Sequence, residues 1–199
     1  MYVKLSKKDV LTSEVMGADT VKLCEMAGFN PRLENDKQSR VEANQWGFKA
    51  EFAVARLLNL DLPTLTVTTD GGADLWVDDI TIDVKFSNQE WGPLIFDSMT
   101  KFRANLAVMV GRTNYEDIVN VIGWISREDF KEKYKKKDFG YGTRLFIEPE
   151  DLAPIEQLWL AFAEIKYGVI NDNGNSFRFR NDSSTEGSHQ GQLALQPLE

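Results

Sequence analysis

The chain has 199 residues, of which 42 % are hydrophobic and 27 % are charged, and its formal net charge is −8. This composition is typical of a globular protein, and the negative charge argues against indiscriminate binding to nucleic acid or to an anionic membrane. The single cysteine, Cys24, excludes an internal disulfide and a cysteine-rich zinc site. The single histidine, His189, lies in a polar segment, so any catalysis would use carboxylates, Lys, Tyr or Ser.

The sequence contains neither a recognisable secretory signal nor a membrane span. Its first ten residues lack an apolar core, and no stretch approaches the roughly 18 consecutive apolar residues of a spanning helix. We therefore expect a cytoplasmic protein without a membrane partner.

Two helices are predicted before the first strand. The first covers 7–27, with Ser6 as its N-terminal cap and Gly28 after its last turn. A polar loop follows, and the second helix covers 41–60. Alternating or continuous apolar runs then predict strands at 64–69, 72–77, 80–87, 94–96, 106–112 and 118–125.

Two further helices are predicted after the strands. The first begins at Ser126 and continues through the lysine-rich run to 137, and the second covers 154–167. These elements indicate one α/β domain over 1–170, with its core over 41–167. Residues 171–199 are polar and rich in Gly and Ser, which predicts a disordered tail that could bind a protein partner.

The hairpin over 72–87 carries an unusual set of charges. If Asp78 and Asp79 form its turn, one face is wholly apolar, and the other carries Asp74, Trp76, Thr81, Asp83 and Lys85. Asp74 would then lie opposite Asp83, with Cβ atoms about 4.5–5.5 Å apart. Two carboxylates at that distance repel each other unless a cation such as Mg²⁺ lies between them. The alternative explanation is a Lys–Asp ion-pair network on a solvated sheet face.

A third carboxylate comes from the second predicted helix. Glu51 lies among apolar residues at helical spacing, one turn after Gly47, which would permit close approach to the sheet. A carboxylate pointing toward the sheet is costly unless it meets a cation. The alternative is an ordinary Glu at the rim of the helix.

These residues resemble the PD-(D/E)xK nuclease superfamily, which has the restriction-endonuclease-like fold. The order of a helical Glu, a strand Asp and an Asp-x-Lys matches in Gly47-x-x-x-Glu51, Gly72-x-Asp74 and Ile82-Asp83-Val84-Lys85. The resemblance covers about residues 41–130. It departs from the family name at Ala73, which stands where the name has Pro. It implies a restriction-endonuclease-like mixed β-sheet core flanked by helices.

The resemblance also implies an activity, a cofactor and a set of roles. The expected function is Mg²⁺-dependent hydrolysis of phosphodiester bonds, with Mn²⁺ as a substitute, and endonuclease activity is favoured over exonuclease activity. Asp74, Asp83 and the backbone carbonyl of Val84 would bind the metal, and Glu51 would bind it directly or through water. Lys85 would act at the attacking water. DNA is favoured over RNA as substrate, and a homodimer is compatible with the family.

Weaker signals suggest contacts to nucleic acid outside the metal site. Ser87 and Gln89 follow the predicted catalytic Lys, and Lys135, Lys136 and Lys137 form a basic run. A plain loop and a solvated helix end are the alternative explanations for these two groups. The alternative function is a non-catalytic nucleic-acid-binding or assembly module that retains the nuclease fold.

Overall fold

The structure is a computed structural model that describes residues 1–28, 37–65, 72–140, 142–167, 178–181 and 193–196. Its α-helices, numbered in chain order, are α1 (Lys7–Met26), α2 (Lys37–Leu58), α3 (Arg127–Lys133) and α4 (Ile155–Tyr167), with a 3-10 turn at Pro149–Asp151. Its strands are β1 (Tyr2–Lys4), β2 (Leu75–Val77), β3 (Ile80–Ser87), β4 (Leu94–Phe96), β5 (Leu106–Arg112), β6 (Ile118–Ser126), β7 (Lys135–Asp138), β8 (Thr143–Ile147), β9 (Arg178–Asn181) and β10 (Leu193–Gln196).

A mixed five-stranded sheet organises the chain. Its strand order is β1-β6-β5-β3-β2, in which β3 and β5 are parallel and the other neighbours are antiparallel. A smaller antiparallel sheet has the order β4-β8-β7, and β9 pairs with β10. The predicted mixed α/β class is confirmed.

Both faces of the five-stranded sheet are covered by separate apolar clusters. The first cluster joins α2 and α4 to one face, which includes Ile82 and Val84 of β3. The second cluster joins the smaller sheet and α3 to the other face, which includes Ala107 and Met109 of β5. Strand β5 is buried along nearly its whole length, as its continuous apolar sequence predicts.

The two predicted N-terminal caps are confirmed. The Ser6 hydroxyl accepts a hydrogen bond from the Asp9 backbone N–H at 3.1 Å, and the Ser126 hydroxyl accepts one from the Asp129 N–H at 3.0 Å. Each bond satisfies a backbone donor that has no partner inside its helix. Gly28 follows α1 with a φ of 73°, the left-handed conformation that often ends helices.

Several predicted boundaries differ from the structure. The lysine-rich run is not helical: α3 ends at Lys133, and Lys135–Asp138 form β7, which pairs with β8. Pairing with β8 satisfies the backbone of this run, an interaction over sequence distance that local helix signals do not report. Strands β1, β8, β9 and β10 were not predicted. The predicted strand 72–77 is shortened to Leu75–Val77, and most of the predicted strand 64–69 lies outside the described residues.

The C-terminal segment is described only at β9 and β10, which pair as antiparallel strands. The other residues of 171–199 lie outside the described residues, so the predicted disorder stays a prediction. Within the described ranges, no helix combines the length and apolar character needed to cross a bilayer.

Glycine sets the distance between α1 and α2, but not at the predicted position. A Cβ atom at Gly17 of α1 would lie 2.6 Å from the Gln45 backbone N and 2.8 Å from its Cα. A Cβ atom at Gly47 of α2 would meet nothing within 4 Å, so the prediction that Gly47 permits close approach to the sheet is wrong. The glycine that permits close packing is therefore Gly17, and the contact that it permits is between α1 and α2 rather than between α2 and the sheet.

We expect opposite effects from alanine at these two helical glycines. Gly17→Ala forces the helices apart and lowers the free energy of unfolding by about 1–3 kcal/mol. Gly47→Ala raises it by about 0.5–1 kcal/mol, because alanine loses less backbone entropy in a helix. Urea unfolding of both variants measures the difference, and equal effects would contradict the observed helix contact.

A charge pair between α1 and α2 should make stability depend on pH. Arg56 Nη2 donates to Asp9 Oδ1 at 2.8 Å, and Asp9 is almost fully buried. The hydrogen bond from Arg56 holds the pKa of the Asp9 carboxyl below its ordinary value of 3.8, with help from Ser6. A lowered folded-state pKa adds stability above the unfolded-state pKa and loses it as pH falls through the folded-state value.

The variant Asp9→Asn therefore unfolds at a lower temperature than the unchanged chain at neutral pH. The difference between the two shrinks as the pH falls below about 4, where the unfolded-state carboxyl takes up its proton. Thermal melts across this range measure it. A difference that stays constant with pH would show that the ion pair does not stabilise the fold.

Candidate active site

The predicted register of the charged hairpin is confirmed at three positions. Leu75 lies opposite Ile82, Trp76 opposite Thr81, and Val77 opposite Ile80. Because Leu75, Val77, Ile82 and Val84 belong to the first apolar cluster, Trp76, Thr81, Asp83 and Lys85 face the other way. The predicted segregation of apolar and polar residues is therefore present.

Asp74 contacts β3 differently from the prediction. The strand ladder ends at Leu75, so Asp74 and Asp83 do not form a ladder pair. Instead the Asp74 backbone N–H donates to Ile82 O at 2.8 Å, and the Val84 N–H donates to Asp74 Oδ2 at 2.6 Å. The Asp74 carboxylate thus lies against the Asp83–Val84 peptide and satisfies a backbone donor where the ladder has ended.

Asp83 and Lys85 form an ion pair on the polar face of β3. Lys85 Nζ lies 2.5 Å from Asp83 Oδ1, and the side chains are 38 % and 4 % exposed, respectively. Lys85 Nζ also lies 5.1 Å from the centroid of the Phe96 ring in β4. A buried carboxylate is therefore balanced by a cation that still reaches solvent.

Two residues that the sequence did not single out contact the same hairpin. Asn105 Oδ1 accepts hydrogen bonds from the Thr81 N–H at 2.8 Å and from the Thr81 hydroxyl at 2.7 Å. Arg103 packs against the residues just before β2. A Cβ atom at Gly72 would lie 3.4 Å from Arg103 Cβ. These contacts depend on how the segment between β4 and β5 folds back over the sheet, which no local sequence pattern indicates.

Glu51 lies on α2, which packs on the sheet face opposite Asp83 and Lys85. Within residues 49–55 it alone is not buried. Its role stays a prediction.

The carboxylates of Asp74 and Asp83 are ligands of the type that a hard cation such as Mg²⁺ prefers, but they are only two. Within the described ranges, no three His, Cys, Asp or Glu side chains are arranged to hold a metal ion. The Asp74 carboxylate contacts the N–H of the residue that follows Asp83, and Mg²⁺ in proteins is often held by one or two carboxylates with water and phosphate oxygens. The donor set therefore fits magnesium better than a metal that needs a complete protein cage.

The weaker predicted nucleic-acid contacts lie in two places. Ser87 ends β3, and its hydroxyl accepts from the N–H of the exposed residue Gln89 at 3.1 Å. Lys135, Lys136 and Lys137 are exposed on β7, the outer strand of the smaller sheet. A hydrogen bond to Asp151 raises the pKa of Lys135, so this lysine stays charged.

Comparison with known proteins identifies no relative. No family model matches the chain, no curated protein matches it, and no solved structure matches its fold.

The Asp74–Val84 contact can be tested through stability. Asp74→Ala leaves the Val84 N–H without its acceptor and should lower the free energy of unfolding by about 1–3 kcal/mol. Asp74→Asn keeps an oxygen acceptor, so it should cost less than Asp74→Ala. Chemical unfolding of both variants measures the difference, and equal losses would mean that the hydrogen bond is not maintained in solution.

Proposed function

We propose that this chain is a Mg²⁺-dependent nuclease that hydrolyses phosphodiester bonds, with DNA favoured as substrate. The observation that carries the proposal is that the Asp74 carboxylate accepts a hydrogen bond from the Val84 N–H, directly after Asp83, while Lys85 pairs with Asp83 on the same face of β3. A restriction-endonuclease-like fold, with α2 as the helix that supplies Glu51, belongs to the same proposal. The mixed sheet with a parallel β3–β5 pair supports it.

The proposed roles follow from the chemistry of each side chain. Asp74, Asp83 and the Val84 carbonyl would hold the metal, and Glu51 would assist directly or through water. A bound Mg²⁺ would supply Lewis-acid stabilisation of phosphate charge and a more acidic water. Lys85 would orient the attacking water or balance charge on the phosphate, because its ammonium is only partly buried and lies beside Asp83.

The ion pair in the site affects how Lys85 must be tested. Replacing Lys85 removes the cation that pairs with the buried Asp83 carboxylate. Removing one partner of a buried ion pair usually destabilises the fold. Loss of activity in Lys85→Ala alone could therefore reflect a damaged fold. The double variant Lys85→Ala/Asp83→Asn removes both charges and should recover part of the lost stability.

The direct test incubates the protein with supercoiled plasmid, single-stranded DNA, branched DNA and RNA, with Mg²⁺, with Mn²⁺ or with a chelator. We expect metal-dependent cleavage that falls by about 10²–10⁴-fold in Lys85→Ala, the usual contribution of a group that assists proton transfer. Asp83→Asn should also abolish cleavage. Lys4→Ala is the matched control. Lys4 also pairs with an acid, Asp117, but it lies on β1, at the opposite edge of the sheet from the site.

Two results would overturn the nuclease proposal. One is the absence of cleavage under every metal condition. The other is cleavage that persists in both Asp83→Asn and Lys85→Ala, because the activity would then come from elsewhere. Metal-independent binding without cleavage would instead favour the non-catalytic nucleic-acid-binding module, a reading that the closed Asp83–Lys85 pair supports.

A further inference from the structure

An exposed tryptophan lies on the same sheet face as the proposed catalytic residues. Trp76 of β2 is 52 % exposed and sits directly across from Thr81, which is two residues before Asp83. Its neighbours on β2, Leu75 and Val77, are buried in the first apolar cluster, so they fix the direction of the Trp76 ring away from that cluster. A large ring held in solvent on a strand is a surface available for stacking.

Two exposed cations in the segment between β4 and β5 have no carboxylate partner within the described ranges. Lys101 and Arg103 are exposed, and neither forms an ion pair with any residue in the described ranges. By contrast, four other arginines each pair with an acid: Arg40, Arg56, Arg112 and Arg144. The Arg103 side chain makes one hydrogen bond, from its Nε to Thr100 O at 3.3 Å, which leaves its terminal nitrogens available to a ligand.

The position of these groups indicates a direction for the ligand. Arg103 lies against Gly72, two residues before Asp74, so it is near the end of the hairpin that carries the carboxylates. Asp78 and Asp79 form the exposed turn at the other end and would repel phosphate. A polyanion that stacks on Trp76 would therefore extend toward Arg103 and Lys85 and away from the turn.

We propose that this face binds an unpaired strand of nucleic acid, with a base stacked on Trp76 and the adjoining phosphates on Arg103 and Lys101. This inference rests on the proposed function and specifies its substrate as single-stranded. A paired base in a duplex is already stacked on its neighbours, whereas an unpaired base offers its face to an aromatic ring. Phosphate binding by the two cations accounts for attraction to a chain whose net charge is negative.

The test measures binding without cleavage. Fluorescence anisotropy of a labelled oligothymidine is titrated with the full chain in chelator, beside a duplex and an oligouridine of equal length. We expect the single strands to bind more tightly than the duplex, and Trp76→Ala to weaken single-strand binding by about tenfold, within the usual range for one stacked base. The two single-strand arms distinguish DNA from RNA as the source of the unpaired base.

Trp159→Ala is the matched control, because Trp159 is 47 % exposed but lies on α4, which packs on the opposite face of the sheet. Trp76→Phe keeps a ring and should bind with an intermediate affinity, which guards against a misfolded alanine variant. Arg103→Ala should weaken binding and reduce its salt dependence. Equal affinities of the unchanged chain and Trp76→Ala, equal losses in Trp76→Ala and Trp159→Ala, or tighter binding to duplex would each overturn the inference.

Failure of this inference and failure of the nuclease proposal give different results. If the chain binds the single strand through Trp76 and cleaves nothing with Mn²⁺, the binding face stands and the catalytic proposal falls. If the chain cleaves DNA and Trp76→Ala leaves both affinity and cleavage unchanged, the catalytic proposal stands and the binding face falls.

Discussion

The packing of α2 between α1 and the five-stranded sheet is the contact on which the first core and the candidate site depend. Ala50, Ala53 and Ala55 are fully buried, and their small side chains let the helix lie close to the sheet. The same helix meets α1 at the Gly17–Gln45 contact and through the Asp9–Arg56 ion pair. Because α2 occupies one face of β3, the polar side chains of that strand are left on the other face, where the candidate site forms.

The strand β3 therefore has two functions in the fold. Its apolar side chains contribute to the first core, and its polar side chains meet the segment that crosses from the smaller sheet to β5. A carboxylate on such a strand is costly unless it has partners. Asp83 pairs with Lys85, and the Asp74 carboxylate accepts from the Val84 N–H, so each acid has a partner of its own.

The alternation of apolar and polar residues was sufficient to predict β3 and the hairpin register at Leu75, Trp76 and Val77, and apolar runs were sufficient to predict β5 and β6. The caps at Ser6 and Ser126 were also predictable, because each depends on residues three positions apart. The Asp74 contact was not, since it depends on where the strand ladder ends. Arg103 and β8 were missed for the same reason: their positions are set by contacts between distant parts of the chain. The basic run 135–137 was misassigned because lysine favours helices over strands, and only the pairing with β8 makes this run a strand.

The observed position of those lysines has a consequence for association between molecules. Strand β7 is the outer strand of the smaller sheet, and its outward backbone groups could pair with a strand from another chain. Three consecutive exposed lysines on that strand place like charges opposite one another in any such pairing between two copies. Repulsion between these lysines therefore opposes edge-to-edge aggregation. Neutralising it, for example by acetylation of the three side chains, would open that edge to fibre-like stacking.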